Sequence, residues 1–293
     1  MAFSFKLRRQ LTNSSIKSIP RDSIEYYTII EVQEKLLKIV EDEKDIFDET
    51  DVKKIVQSMS YLRKYCQRQD GKADKTVEMV KEALIWRKEH QIPKLTEANI
   101  PREFIETGFI YISGADIEGN PLLCIRGKYC HFTPSTKEGC ERILSYFLFK
   151  ALEQGMANGK GWTILVDLTG LSMAQYDVPE VLWVLKVIVN YMPSGLKNMI
   201  GVNIPWFAKP LVKVVMSFIP SDWKKIIQFV SSKELYKFIP KESVPKYIEN
   251  PREKFHITAP PECKPMSEID VEALALEDKE EFIKFFQKVL ELN

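Results

Sequence analysis

The run WTILVDLTG at residues 162–170 opens the stretch, ending at Val230, on which the reading of this chain turns. Three short segments rich in β-forming residues, 162–166, 199–203 and 226–230, are separated by helical segments. Strands alternating with helices indicate crossover connections and a mainly parallel sheet. Between the last two strands lies IPWFAKPLVKVVMSFIPSDW, residues 204–223. Read as one helix over 206–219, its polar face is a thin stripe of Lys209, Lys213 and Ser217 at i, i+4 and i+8. Trp206, Phe207, Leu211, Val212, Val214, Val215, Met216 and Phe218 cover the rest. A water-facing helix usually carries a wider polar face. Periodicity alone fits a core helix as well as one that meets lipid.

Composition narrows the partners. The 293 residues carry a formal net charge of +1, which speaks against general nucleic-acid binding. No apolar run approaches the ~20 residues needed to span a bilayer, so any membrane contact is expected to be peripheral. The five cysteines form no CxxC pair, and three histidines supply no zinc-ligand pattern. No metal and no cofactor is expected, and the unpaired cysteine usage suits a reducing, cytoplasmic compartment.

Four segments follow from the pattern. Residues 1–28 begin with a Ser/Thr-rich arm bearing Lys6, Arg8, Arg9, Lys17 and Arg21, with no acid before Asp22. A disordered basic arm is the favoured reading, and a mitochondrial presequence the alternative. Residues 29–100 read as all-helical: Val52, Ile55, Val56, Met59 and Leu62 form one apolar stripe with Asp51 at the N-cap position, and a further helix follows Gly71.

Residues 101–250 change character. Segments 109–112 and 121–125 flank the turn chemistry of residues 115–120, which predicts a hairpin. A long helix then runs from Pro134 to about Ala157, ahead of the strands quoted above. Residues 251–293 comprise a proline-rich connector and an amphipathic helix over 268–290, with Phe282, Ile283, Phe285, Phe286, Val289 and Leu290 on its second half.

No catalytic constellation stands out. Gly155-Met156-Ala157-Asn158-Gly159-Lys160-Gly161 has one residue too few between glycines for a phosphate loop, and it precedes a strand instead of following one. Asp167 sits at a strand's carboxyl end, where α/β ligands bind, but no Ser, His or Cys partner stands at a recognisable spacing. A scaffolding role for Asp167 and a non-enzymatic protein are expected.

An ordered set of motifs nevertheless resembles one family. Tyr61-Leu62-Arg63-Lys64 precedes a helix ending Leu84-Ile85-Trp86-Arg87-Lys88-Glu89. Gly108-Phe109-Ile110-Tyr111-Ile112 leads to Gly119-Asn120-Pro121-Leu122. Then come Val166-Asp167-Leu168-Thr169-Gly170, Tyr191-Met192-Pro193, Val202-Asn203-Ile204-Pro205-Trp206-Phe207, Lys225-Ile226-Ile227 and Val244-Pro245. Together these resemble the CRAL-TRIO lipid-binding family, typified by the yeast phosphatidylinositol/phosphatidylcholine transfer protein. Within it they are most similar to the CRAL-TRIO part of motile sperm domain-containing proteins. The resemblance covers about residues 52–251.

The resemblance implies an α/β fold in which an N-terminal all-helical segment precedes a sheet floor, a hydrophobic pocket and a mobile gate helix at residues 206–219. It implies binding and transfer of a hydrophobic lipid between membranes by a peripheral protein. Trp162, Ile164, Trp206, Phe207, Leu211, Val214, Val215 and Phe218 are the pocket or gate candidates. Lys209, Lys213, Lys225 and Arg68 are the headgroup or membrane contacts. The family's phosphatidylinositol-binding members place a carboxylate where Ser194 stands, and a basic pair where Tyr65 and Cys66 stand. Trp162 and Ile164 replace the small polar positions that serve phosphatidylcholine. These departures keep open the alternative of a scaffold module with a vestigial pocket, engaging a protein partner through its C-terminal helix.

Overall fold

The computed structural model describes residues 24–43, 45–130, 133–173, 178–219, 221–251 and 255–292. The basic arm at 1–23 and the residue following Cys130, His131, lie outside them. The chain divides into two compact units. One comprises the described residues up to Pro93 together with Lys186–Ser194, and the other comprises Lys94–Leu185 and the residues from Gly195 onward.

The first unit is helical: α1 (Ile24–Asp42), α2 (Glu49–Gln57), α3 (Met59–Arg68) and α4 (Ala73–Glu89). The apolar stripe over 52–62 is split, not continuous. Ser58 is extended, closes α2 through its own N–H to the Lys54 carbonyl, and opens α3 by accepting the Tyr61 N–H on its hydroxyl. The N-cap of α2 is Asp48, whose carboxylate accepts the Thr50 N–H at 2.8 Å. Asp51, expected in that role, lies one turn inside and fully buried. There it takes a two-pronged ion pair from Arg87 of α4, at 2.8 and 3.0 Å. Gln33 of α1 donates to the Ile55 and Val56 carbonyls that the end of α2 leaves open. The segment Val187–Tyr191 completes this unit as a wide π-type turn, with the Tyr191 ring stacked on Trp86 at 4.8 Å.

The second unit is α/β. Helix α5 (Arg102–Glu106) precedes strands β1 (Ile110–Ala115) and β2 (Pro121–Arg126), which form the expected hairpin. Asp116 builds its turn: its carboxylate accepts N–H bonds from Glu118 and Asn120, and the Thr163 hydroxyl at 2.7 Å. Then follow α6 (Lys137–Ala157), β3 (Trp162–Asp167), α7 (Val178–Lys186), β4 (Leu196–Val202), α8 (Lys209–Phe218), α9 (Ser221–Lys224), β5 (Ile227–Val230), α10 (Lys246–Glu249) and α11 (Lys279–Leu292). The sheet order is β1-β2-β3-β4-β5, with only the β1–β2 pair antiparallel.

Side chains alternate across a strand, so this sheet has two different faces. On one face Tyr111, Cys124, Leu165, Ile200 and Val202 pack tightly under Leu235, Ile239, Val244, Tyr247 and Ile248. The other face lies beneath helices that enclose a cavity.

The C-terminal helix is shorter than the pattern suggests. Residues 269–278 are turns and extended chain, with buried Leu274 and Leu276, and the helix begins only after Asp278, which caps it through the Glu281 N–H at 2.8 Å. Leu276 fits because Gly139 of α6 has no side chain. A Cβ there would lie 2.5 Å from a Leu276 methyl and 2.8 Å from the Leu274 carbonyl oxygen.

Two stability outcomes follow. Arg87→Ala strands the buried Asp51 carboxylate and should cost about 3–5 kcal/mol, read as a lowered urea midpoint in helical circular dichroism. Gly139→Ala gains helix propensity of about 1 kcal/mol, yet should lower the midpoint because the 274–276 segment is displaced. A raised midpoint would contradict that packing.

Candidate functional site

A cavity of about 290 Å³ lies above the second face of the sheet. One row across the strands forms its floor: Ile110, Ile125, Val166, Gly201 and Phe229 are successive register partners on β1 to β5, and all line it. Ile164, Met199 and Ile227 form a second lining row. At Gly201 a Cβ would meet the Phe229 ring at 2.8 Å, so glycine lets that ring lie across the floor.

Helices supply the walls. From α6 come Cys140, Ile143 and Leu144, and from α7 come Glu180, Val181, Val184 and Leu185. Helix α8 contributes Val212, Val215 and Met216, followed by Ile219, a spacing of i, i+3, i+4 and i+7 that defines one helical face. Phe104 and Phe109 close one end and are backed by Phe282 and Phe286 of α11. The Phe104–Phe286 ring separation is 4.1 Å.

The expected site residues separate into distinct places. Ile164 and Val215 line the cavity. Trp162 shares the face of Ile164 two residues earlier, but it is packed beside Leu152 and Gly195 and does not line the cavity. Residues 206–219 are not one helix: a 3-10 turn (Trp206–Ala208) leads into α8, with Pro210 in its first turn. Trp206 and Val214, expected in the pocket, point outward at 82% and 48% exposure, because the helical repeat sets Val214 opposite the lining face. Phe207 is half-buried and does not line the cavity. The side chains of Leu211 and Phe218 lie outside the described residues.

Lys209 and Lys213 are exposed on the outer side of α8, and Lys225 is exposed at the turn before β5. Arg68 belongs to the helical unit, where it donates to the Val189 carbonyl at 3.1 Å. Tyr65 also lies in that unit, buried and donating to the Tyr191 carbonyl at 2.9 Å.

Val166, met by counting two residues from Ile164, was readable from strand alternation. The α7 face and Glu180 had no such signal, since their placement depends on how α7 crosses the sheet. Phe282 and Phe286, proposed from sequence as a partner surface, are buried in their own domain.

The chemistry of the lining is quiet. The Cys130 thiol is pushed up to about 12 by burial and, secondarily, by the charge of Glu180. Burial likewise raises Cys140. Both remain protonated thiols at neutral pH. Asp167 is raised by burial, against the hydrogen bonds from Thr169 and the nearby Arg126 and Lys128 charges. Its carboxylate accepts the Thr169 N–H at 3.0 Å, the strand-to-helix scaffolding expected of it. Among the described residues no cluster of His, Cys, Asp and Glu is arranged to hold a metal, and no helix is long and apolar enough to cross a membrane.

This architecture matches known proteins. The CRAL/TRIO domain model matches residues 105–249. Patellin-6 of Arabidopsis thaliana is 29% identical over 236 residues, 72% of this chain and 55% of that protein. Phosphatidylinositol transfer protein CSR1 of Eremothecium gossypii is 27% identical over 146 residues, 48% of this chain and 33% of that protein. The chain thus spans about half or less of the length of these relatives. The crystal structure of Sfh5 superposes with a TM-score of 0.55 at 12% identity, covering 94% of this chain and all of that one. With the helical N-terminal unit, the β1–β5 sheet and this family match in place, the chain carries a CRAL/TRIO domain at residues 105–249.

Proposed function

We propose that this protein binds a hydrophobic lipid and transfers it between membranes without covalent chemistry. The observation that carries the reading is the apolar cavity between sheet and helices, roofed by the inner face of α8. Each methylene moved from water into such a site contributes about 0.8 kcal/mol. A chain of a dozen or more carbons is therefore held strongly with no catalytic group. The CRAL/TRIO domain match supports the same reading, as does the name of the phosphatidylinositol transfer protein among the similar proteins.

Membrane contact fits the outer side of the gate. Trp206 offers an amphipathic ring of the kind enriched at lipid interfaces. Lys209 and Lys213 beside it suit anionic headgroups, at about 1 kcal/mol each. The protein is accordingly proposed to be a peripheral, cytoplasmic visitor to membranes. The alternative of a scaffold acting through the C-terminal helix is less well supported, because Phe282 and Phe286 already face Phe104 and Phe109.

Two outcomes test this. In a vesicle-to-vesicle transfer assay with fluorescent lipid, Ile164→Trp should fill the floor and reduce transfer at least tenfold while leaving circular dichroism unchanged. Undiminished transfer would exclude the cavity as the lipid site. Lys209→Glu with Lys213→Glu should weaken co-sedimentation with phosphatidylserine vesicles about tenfold at low salt, with little effect on neutral vesicles. Equal binding to both would remove these lysines from the membrane contact.

A further inference from the structure

A second cavity, of about 260 Å³, lies between the start of α6 and one side of α11. That is just under the range usual for drug-sized ligands, and it suits a small or single-chain occupant. Glu281, Lys284, Phe285 and Lys288 line it at i, i+3, i+4 and i+7, one stripe of α11. Thr133, Thr136 and Cys140 meet them from the other wall. The two walls are joined beside the cavity. The Ser135 hydroxyl donates to the Glu281 carboxylate, and the Ser135 carbonyl accepts the Glu277 N–H at 3.2 Å.

Polarity is graded across this cavity. Phe282 and Cys140 are buried and give it an apolar base, while Lys284 and Lys288 are exposed at its mouth. Lys284 also lies 3.7 Å from Glu280, but both side chains stand in solvent, where such a pair is weak and readily exchanged. Among the described lining residues, two ammonium groups stand against the one carboxylate of Glu281, which leaves one positive charge. A head carrying a single negative charge neutralises it and gains charge-assisted hydrogen bonds from the lysines. A cationic head adds to the excess, and a zwitterionic head leaves it in place. An apolar chain attached to that head has Phe282 and Phe285 to leave water for.

We propose that the cavity between α6 and α11 is a second binding site, for a single-chain lipid of the fatty-acid class, with its carboxylate at Lys284 and Lys288 and its chain toward Phe282 and Cys140. This site is separate from the cavity above the sheet and does not depend on the transfer reading.

The test titrates decanoate, decanol and inorganic phosphate calorimetrically into the full chain, both as wild type and as Ile164→Trp, in which the first cavity is filled. Decanoate should bind Ile164→Trp about tenfold more tightly than decanol, the ratio expected of hydrogen bonds to a charged group. Lys284→Gln with Lys288→Gln should erase that ratio and leave decanol within about twofold, which certifies an intact apolar base. Glu281→Gln keeps an oxygen for the Ser135 hydroxyl and should strengthen decanoate binding. Inorganic phosphate at equal concentration should not displace decanoate. Folded Ile164→Trp that takes up no decanoate would overturn the proposal. So would a decanoate affinity unmoved by the lysine pair, equal loss of decanoate and decanol, or displacement by phosphate, which would mark a bare anion site. The lysine and Glu281 variants give the same comparison in the wild-type chain if Ile164→Trp does not fold. Each of these results leaves the transfer reading untouched, because that reading is tested by transfer through the first cavity.

Discussion

The structure depends on an asymmetry between the two faces of one five-stranded sheet. One face is sealed by residues 235–248, with Leu165 and Ile200 buried against them. The other is spanned by helices that do not come down onto it. Gly201 and the aliphatic residues beside it leave space that α6, α7 and α8 enclose without filling. An empty apolar void is costly, on the order of 24 cal/mol per Å³ in engineered cores. A cavity of about 290 Å³ is therefore a site that gains stability from an apolar occupant.

That asymmetry also bears on the proposed gate. Among the described side chains of helix α8, Val212, Val215 and Met216 line the cavity, while Lys209, Val214 and Ser217 are exposed. Elsewhere in the domain, the Asp116 network joins the hairpin turn to β3, and the Phe104–Phe286 ring contact ties the C-terminal helix to the end of the cavity.

Much of this frame was legible in the sequence because period-2 and period-3.6 patterns are strong where one face is buried. The hairpin, the three parallel strands and the unusual apolar helix all followed from that. What escaped was whatever depends on a specific tertiary partner. Asp51 looks like a cap until Arg87 is brought to it from 36 residues away. The stripe from Val52 to Leu62 conceals the break at Ser58. Val214 and Val215 look alike by composition, and only the exact phase of α8 over the sheet separates outer from inner. Glu180 carries no motif at all, and its place in the cavity lining is visible only once α7 is laid across the sheet.

The most direct measurement is native mass spectrometry of the chain purified from cells, followed by organic extraction. One lipid per chain should appear as an added mass that is released on denaturation and is missing from Ile164→Trp. A wild-type chain that is reproducibly unliganded, and stays so after incubation with mixed-lipid vesicles, would contradict the claim that this cavity is built to hold a lipid.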